Sequence, residues 1–90
     1  MFIATLGDKA YLQAVKLVDS LRSNGIKAEL DHAGRSVKAQ FRYADKIGSQ
    51  NVITIGDNEI ESGICDIKHM ADGSKTTLKL DEVVDYFKKN

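Results

Sequence analysis

The sequence contains no proline, one cysteine and no net formal charge. Without proline, no helix or strand is interrupted by that residue. The lone Cys65 excludes an internal disulfide and fits a reducing, cytoplasmic compartment. No stretch approaches the ~18 apolar residues of a membrane span, and no basic segment followed by a long apolar run reads as a signal peptide. There is no repeat and no low-complexity tract. Thirteen Lys/Arg cancel thirteen Asp/Glu, so bulk charge names no partner. The distribution is less even. Residues 1–56 hold eight basic and five acidic residues, and residues 57–90 hold five and eight. Such a split hints at a surface facing a polyanion.

What is present describes one folded unit. Ninety residues, 42% hydrophobic and 29% charged, suit a single soluble globular domain with a modest core. Met1 abuts a strand-like run, so the chain reads as a piece of a longer protein. Phe2–Leu6 predicts a strand, and Asp8 is placed to cap the helix after it. Ala10, Ala14, Leu17, Val18 and Leu21 recur at helical spacing over Lys9–Asn24, and Gly25 ends that helix. Ile26–Leu30 alternates as a second strand. A loop, Asp31–Gly34, leads to a helix over Arg35–Ile47 that Gly48 stops. Asn51–Ile55 is a third, β-branched strand. Asp57–Ser62 has room for one helical turn. Ile64–His69 and Thr76–Leu80 flank an Asp72-Gly73 hairpin signal. A closing helix, capped by Asp81, spans Asp81–Lys88 with Val83, Val84 and Phe87 available to pack. Phe2 and Tyr11 also read as core. Helices between the first three strands make those strands parallel, with right-handed crossovers. The expected architecture is α/β: one mixed five-stranded sheet with three helices.

The most informative local pattern lies on the second helix. Arg35, Lys38, Arg42 and Lys46 are spaced by three, four and four. At about 100° per residue they share roughly a quarter of the helix circumference. Val37, Phe41, Ala44 and Ile47 fall opposite and should face the sheet. Asp45 offsets part of the charge. Like charges at these spacings repel by about 0.2–0.5 kcal/mol per pair, which an anionic ligand would explain; a solvated helix face that merely avoids apolar residues explains it as well. The helix entry adds Gly34, which permits unusual backbone angles, free first-turn amides that favour an anion, and Arg35, able to grip a phosphate or guanine edge bidentately. Ser36 adds a hydroxyl.

The segment Asp31–Gly48, DHAGRSVKAQFRYADKIG, resembles the Gly-Arg-Ser helix of histidyl-tRNA synthetase anticodon-binding domains. The matching positions are Gly34, Arg35, Ser36, Lys38, Gln40, Phe41, Tyr43 to Lys46, and Gly48. FIATLGD resembles that family's first strand and turn, and NVITIGDNEIESG its third strand with a Gly-Asp-x-Glu turn. The tail resembles its terminal hairpin and helix, so the likeness covers essentially the whole chain. Related synthetases for threonine, proline and glycine share the fold and usually carry other residues at the Gly-Arg-Ser helix. One departure is Ala39, where many members carry a second lysine.

The resemblance implies residues 1–90 as a single anticodon-binding domain, a fragment of a longer class II aminoacyl-tRNA synthetase. It implies parallel strands in the order 2-1-3 with the hairpin beyond strand 3. The implied partner is the anticodon stem-loop of a histidine tRNA, with Arg35, Ser36, Lys38 and Arg42 at or near the RNA. Glu59 and Lys68 match positions that contact anticodon bases in related synthetases, and a carboxylate there can accept a hydrogen bond from a base amino group. By the same resemblance the domain has no catalytic centre and no cofactor of its own. ATP, Mg and histidine belong to the catalytic module of the parent enzyme, expected to be a homodimer.

Other readings compete. A stand-alone protein-interaction or regulatory domain could keep this fold. Asp8 and Asp57 follow strands, as in phospho-receiver domains, but the paired acids after the first strand are missing. Gly7 and Gly56 lie in no Walker or G-x-G-x-x-G pattern. His32, His69 and Cys65 show no metal-ligand spacing, and Cys65 reads as a small strand residue. Tyr43 is equally placed to stack on an unpaired base or to lie half-buried on the helix flank.

Overall fold

The computed structural model describes residues 1–30 and 36–89, without the side chain of residue 89. The chain runs β1 (Phe2–Thr5), α1 (Asp8–Ser23), β2 (Glu29–Leu30), α2 (Val37–Lys46), β3 (Asn51–Ile55), α3 (Asp57–Ser62), β4 (Ile64–His69) and β5 (Lys75–Lys79). A 3₁₀ turn, Leu80–Glu82, then leads into α4 (Val83–Lys89). The five strands form one sheet in the order β2-β1-β3-β4-β5. β1 is parallel to β2 and β3, and the remaining pairs are antiparallel. The mixed sheet and its strand order are as expected. The count of three helices needs correcting to four, because the turn after β3 closes into the six-residue α3.

Several boundaries also move, each for a local reason. β2 keeps two of its five expected residues because Gly25–Ala28 finish the preceding helix. Gly25 (φ 77°) and Ile26 donate to the Arg22 and Leu21 carbonyls, a left-handed helix end that glycine adopts without a Cβ penalty. Arg22 Nε then bonds the Ala28 carbonyl at 3.1 Å. α1 starts one residue early: Gly7 is its N-cap and Asp8 lies in its first turn, where its charge still favours the helix dipole. Asp81 is likewise no cap. The Lys79 amide is met by Glu82 Oε1 at 3.2 Å, inside the 3₁₀ turn. β5 begins and ends one residue before its expected bounds.

The sheet's two faces are covered unequally. On one, Ile3, Ile53, Ile55, Cys65 and Ile67 bury against Ala10, Ala14, Leu17, Val18 and Leu21 of α1 and Val83 of α4. Each fully buried Ile or Leu contributes about 1.5–3 kcal/mol. On the other face, Phe2, Ala4 and Val52 bury against Ala44 of α2, with Phe41, Tyr43 and Met70 packed alongside. Of the expected aromatic core, Phe2 is fully buried, while Tyr11 and Phe87 are half-buried. Ile47, expected to face the sheet, is 41% exposed. It is the C-cap of α2, past the last turn that reaches the strands.

The position taken by apolar residues elsewhere on α2 is filled by Gln40, 1% exposed. β2 pairs only with Phe2 and Ile3, so on that side nothing in β2 reaches Thr5. Gln40 does: Thr5 N–H donates to its Oε1 at 2.8 Å and its Nε2 donates to the Thr5 carbonyl at 2.7 Å. The carboxamide thus meets both backbone groups of Thr5 as a strand peptide would. Removing it leaves two buried backbone groups, each costing about 1–3 kcal/mol. Since a domain of this size loses about 4–8 °C per kcal/mol, thermal denaturation of Gln40→Leu should show a midpoint at least about 8 °C lower. A change under about 2 °C would show that the two bonds carry no weight.

Candidate nucleic-acid interface

Helix α2 begins where Ser36 accepts the Ala39 amide at 3.1 Å. Ser36 is therefore an N-cap, its hydroxyl oxygen engaged with the helix it opens. Lys38, Arg42 and Lys46 are all exposed, as the spacing required. Arg35, Gly34 and His32 lie outside the described residues, as does the expected loop Asp31–Gly34. The flank of α2 facing β3 and β4 is Phe41. Lys38 lies three residues before Phe41 and so neighbours it on the helix surface, and Arg42 neighbours Lys38 in turn.

Beside Phe41 opens a cleft of about 330 Å³, lined by Phe41, Val52, Thr54, Glu59, Asp66, Lys68 and Lys75. It brings together two residues that the sequence separates by nine positions, Glu59 and Lys68. Lys68 Nζ lies 5.4 Å from the Phe41 ring centroid, an attractive cation–π placement. Glu59 Oε1 accepts the Gly56 amide at 2.7 Å, which holds its carboxylate at the start of α3. Gly56 suits that approach: a Cβ there would stand 3.2 Å from Glu59 Oε1. Asp66 is held by the Thr77 hydroxyl, which donates to its Oδ1 at 2.7 Å. The cleft therefore offers carboxylate acceptors and lysine donors side by side, with an aromatic wall.

Asp66, Lys75 and Thr77 escaped the reading of the sequence. Their signal was present in the strand alternation, because each shares a face with Lys68 through the β4–β5 register. Tyr43 is half-buried and packs on Phe2, with ring centroids 5.8 Å apart. His69 meets Asn51 Oδ1 through Nδ1 and Thr76 Oγ1 through Nε2, both at 2.8 Å. Its two ring nitrogens thus tie β3 to β5.

A family model described as an anticodon-binding domain matches residues 1–90. The chain belongs to the anticodon-binding domain family. It is 47% identical over 89 residues to histidine–tRNA ligases of Staphylococcus aureus, covering 99% of this chain. The chain spans about a fifth of the length of those curated relatives. The crystal structure of apo S. aureus histidyl-tRNA synthetase superposes with a TM-score of 0.93 at 47% identity, over 97% of this chain and 22% of that one. Histidyl-tRNA synthetase from a Nostoc species gives 0.85 at 21% identity, over 98% of this chain and 21% of that one. The RNA-binding domain of Cryptosporidium parvum threonyl-tRNA synthetase gives 0.85 at 17%, over 98% and 22%. The last two similarities speak to the fold alone.

Within this anticodon-binding domain, Cys65 faces away from the cleft into the larger core and is 2% exposed. Burial pushes its thiol up to about 11, and the charges of Asp66 and Glu59 push the same way. The folded state thus favours the neutral thiol. That contribution is complete below the unfolded value of 9.0 and is lost as pH rises through about 11. The stability difference between the wild type and Cys65→Ala should shrink between these pH values in paired thermal melts. Iodoacetamide at neutral pH should label denatured chain promptly and native chain slowly; equal rates would mean that the thiol is accessible.

Proposed function

We propose that this domain docks the anticodon stem-loop of a histidine tRNA, as part of a histidine–tRNA ligase. One observation carries the reading: the exposed cations of α2 and the Glu59–Lys68 cleft lie on the same side of the sheet, joined through Phe41. Lys38 and Arg42 hold the RNA backbone, together with Arg35 and Ser36 at the helix entry. Unpaired loop bases, whose edges are open, reach the cleft. There Glu59 accepts from a base amino group and Lys68 donates to a base carbonyl or ring nitrogen. The 47% identity to S. aureus histidine–tRNA ligases across nearly the whole domain supports histidine as the tRNA's amino acid. In this reading the ligation chemistry, its ATP and Mg, and the pairing of two subunits belong to a catalytic module of the same cytoplasmic enzyme.

Charge-assisted hydrogen bonds are worth about 1.5–3 kcal/mol, so losing one weakens binding by about tenfold or more. Arg35→Ala and Arg42→Ala should each raise the Kd for the histidine anticodon stem-loop by that factor in calorimetric titration. Lys16→Ala, on α1 across the sheet, should change it little. Equal losses at all three positions, or no binding at either about 50 or 200 mM salt, would remove the assignment and leave the protein-interaction alternative.

A further inference from the structure

Helix α2 covers only the β1–β3 part of its sheet face. Among the described residues nothing covers that face over β4 and β5, and it is not neutral. Outward along β4 stand Ile64, Asp66 and Lys68; outward along β5 stand Lys75, Thr77 and Lys79. The alternate residues Cys65, Ile67 and Leu78 turn to the core. The register pairs Lys68 with Lys75, Asp66 with Thr77, and Ile64 with Lys79.

Part of this arrangement works against the folded state, although Phe41 meets Lys68 and Glu59 shares the cleft with Lys68 and Lys75. Lys68 and Lys75 are direct cross-strand partners, about 5 Å apart at Cβ, a like-charge placement that destabilises a sheet. Lys79 follows Lys75 by four residues, about 14 Å along the strand. Beside it Ile64 is 45% exposed, an apolar side chain that water does not favour. Asp66, the single carboxylate among these six side chains, is already bonded to Thr77. Lysines on an edge strand often serve to block edge-to-edge pairing, and β5 is such an edge. Lys68, on the interior strand β4, faces the same way and rests against the Phe41 ring, so among the described residues the lysines left without an aromatic contact on this face are Lys75 and Lys79.

We infer that Lys75 and Lys79 form a track for a single-stranded phosphodiester backbone, running from the cleft, where Lys68 meets a base, across the β4–β5 face. Lys75 connects the two regions, since it lines the cleft and begins the track. Ile64 supplies an apolar floor for a sugar or base beside Lys79. The inference rests on the RNA-binding reading above and extends its footprint from α2 to the far edge of the sheet.

Counterion release gives a direct test. Removing one lysine–phosphate interaction should lower the slope of log K against log salt by about 0.7 for single strands and about 0.9 for duplex. With the histidine anticodon stem-loop as probe, Lys75→Gln and Lys79→Gln should each lower the slope by about 0.7, and the double variant by about 1.4. The corresponding Lys→Arg variants should restore it. A blunt RNA duplex without a loop should show the same slope with wild type and variants. An unchanged slope in both Gln variants, while wild type still binds the stem-loop, overturns the track and leaves the proposed function standing. So does self-association of the Gln variants with the slope unchanged, the signature of edge protection. A wild type that binds no RNA overturns both readings together.

Discussion

A single carboxamide ties α2 to the backbone of the sheet. β1 needs hydrogen-bond partners on both sides as far as Thr5, and among the described residues β2 pairs only with Phe2 and Ile3. Gln40 completes the ladder from above, bonding both backbone groups of Thr5. Together with the packing of Phe41, Tyr43 and Ala44, this pair of bonds positions α2. Phe41 becomes the wall of the cleft, Ala44 settles against Phe2 and Val52, and Lys38 and Arg42 are carried outward. The cleft exists because a helix and a strand hairpin are held at a fixed separation.

The unequal cover of the two sheet faces follows from the same geometry. One face is sealed by α1 and α4 with Ile60 of α3, and supplies most of the apolar burial. Among the described residues, the other carries α2 alone and leaves β4 and β5 uncovered. A surface free of core duties can hold charges that a core could not accept, because a buried charge without a partner is heavily penalised. The lysines and carboxylates around Phe41 stand on that free surface. Cys65, one residue from Asp66 in sequence, belongs to the other face and is chemically quiet. Strand alternation alone separates the two environments.

Much of this was legible in the residues. Helical spacing of Ala10, Ala14, Leu17, Val18 and Leu21 identified the buried stripe of α1, and all five are buried. The β-branched run Asn51–Ile55 and the Ile64–His69 strand have the bounds that their composition suggested. The exposed line of α2 followed from spacing for Lys38, Arg42 and Lys46. Gln40 was missed for an instructive reason. It lies four residues before Ala44, on the buried side, but in the sequence it marks only a position matching the family segment, since glutamine is mostly an exposed residue. Only a neighbouring strand with unmet backbone groups makes a buried glutamine favourable, and the register that sets Leu30 opposite Ile3, two residues before Thr5, cannot be read from either segment alone. Ile47 failed in reverse: it is apolar and correctly spaced, but lies beyond the last turn of the helix that touches the sheet.

The sequence by itself determined the order of elements, the parallel and antiparallel connections, the family and the cationic side of one helix. These depend on periodicity, turn residues and motif spacing, all of which act over a few neighbouring positions. Tertiary structure alone decided that Glu59 and Lys68 share a cleft with Phe41, that Lys68 faces Lys75, and that Gln40 belongs to β1. Each of those joins residues of different elements, neighbouring ones for Glu59, Lys68 and Lys75 and distant ones for Thr5 and Gln40. Its existence depends on strand register and on where one strand ends, and neither is encoded in any single local segment.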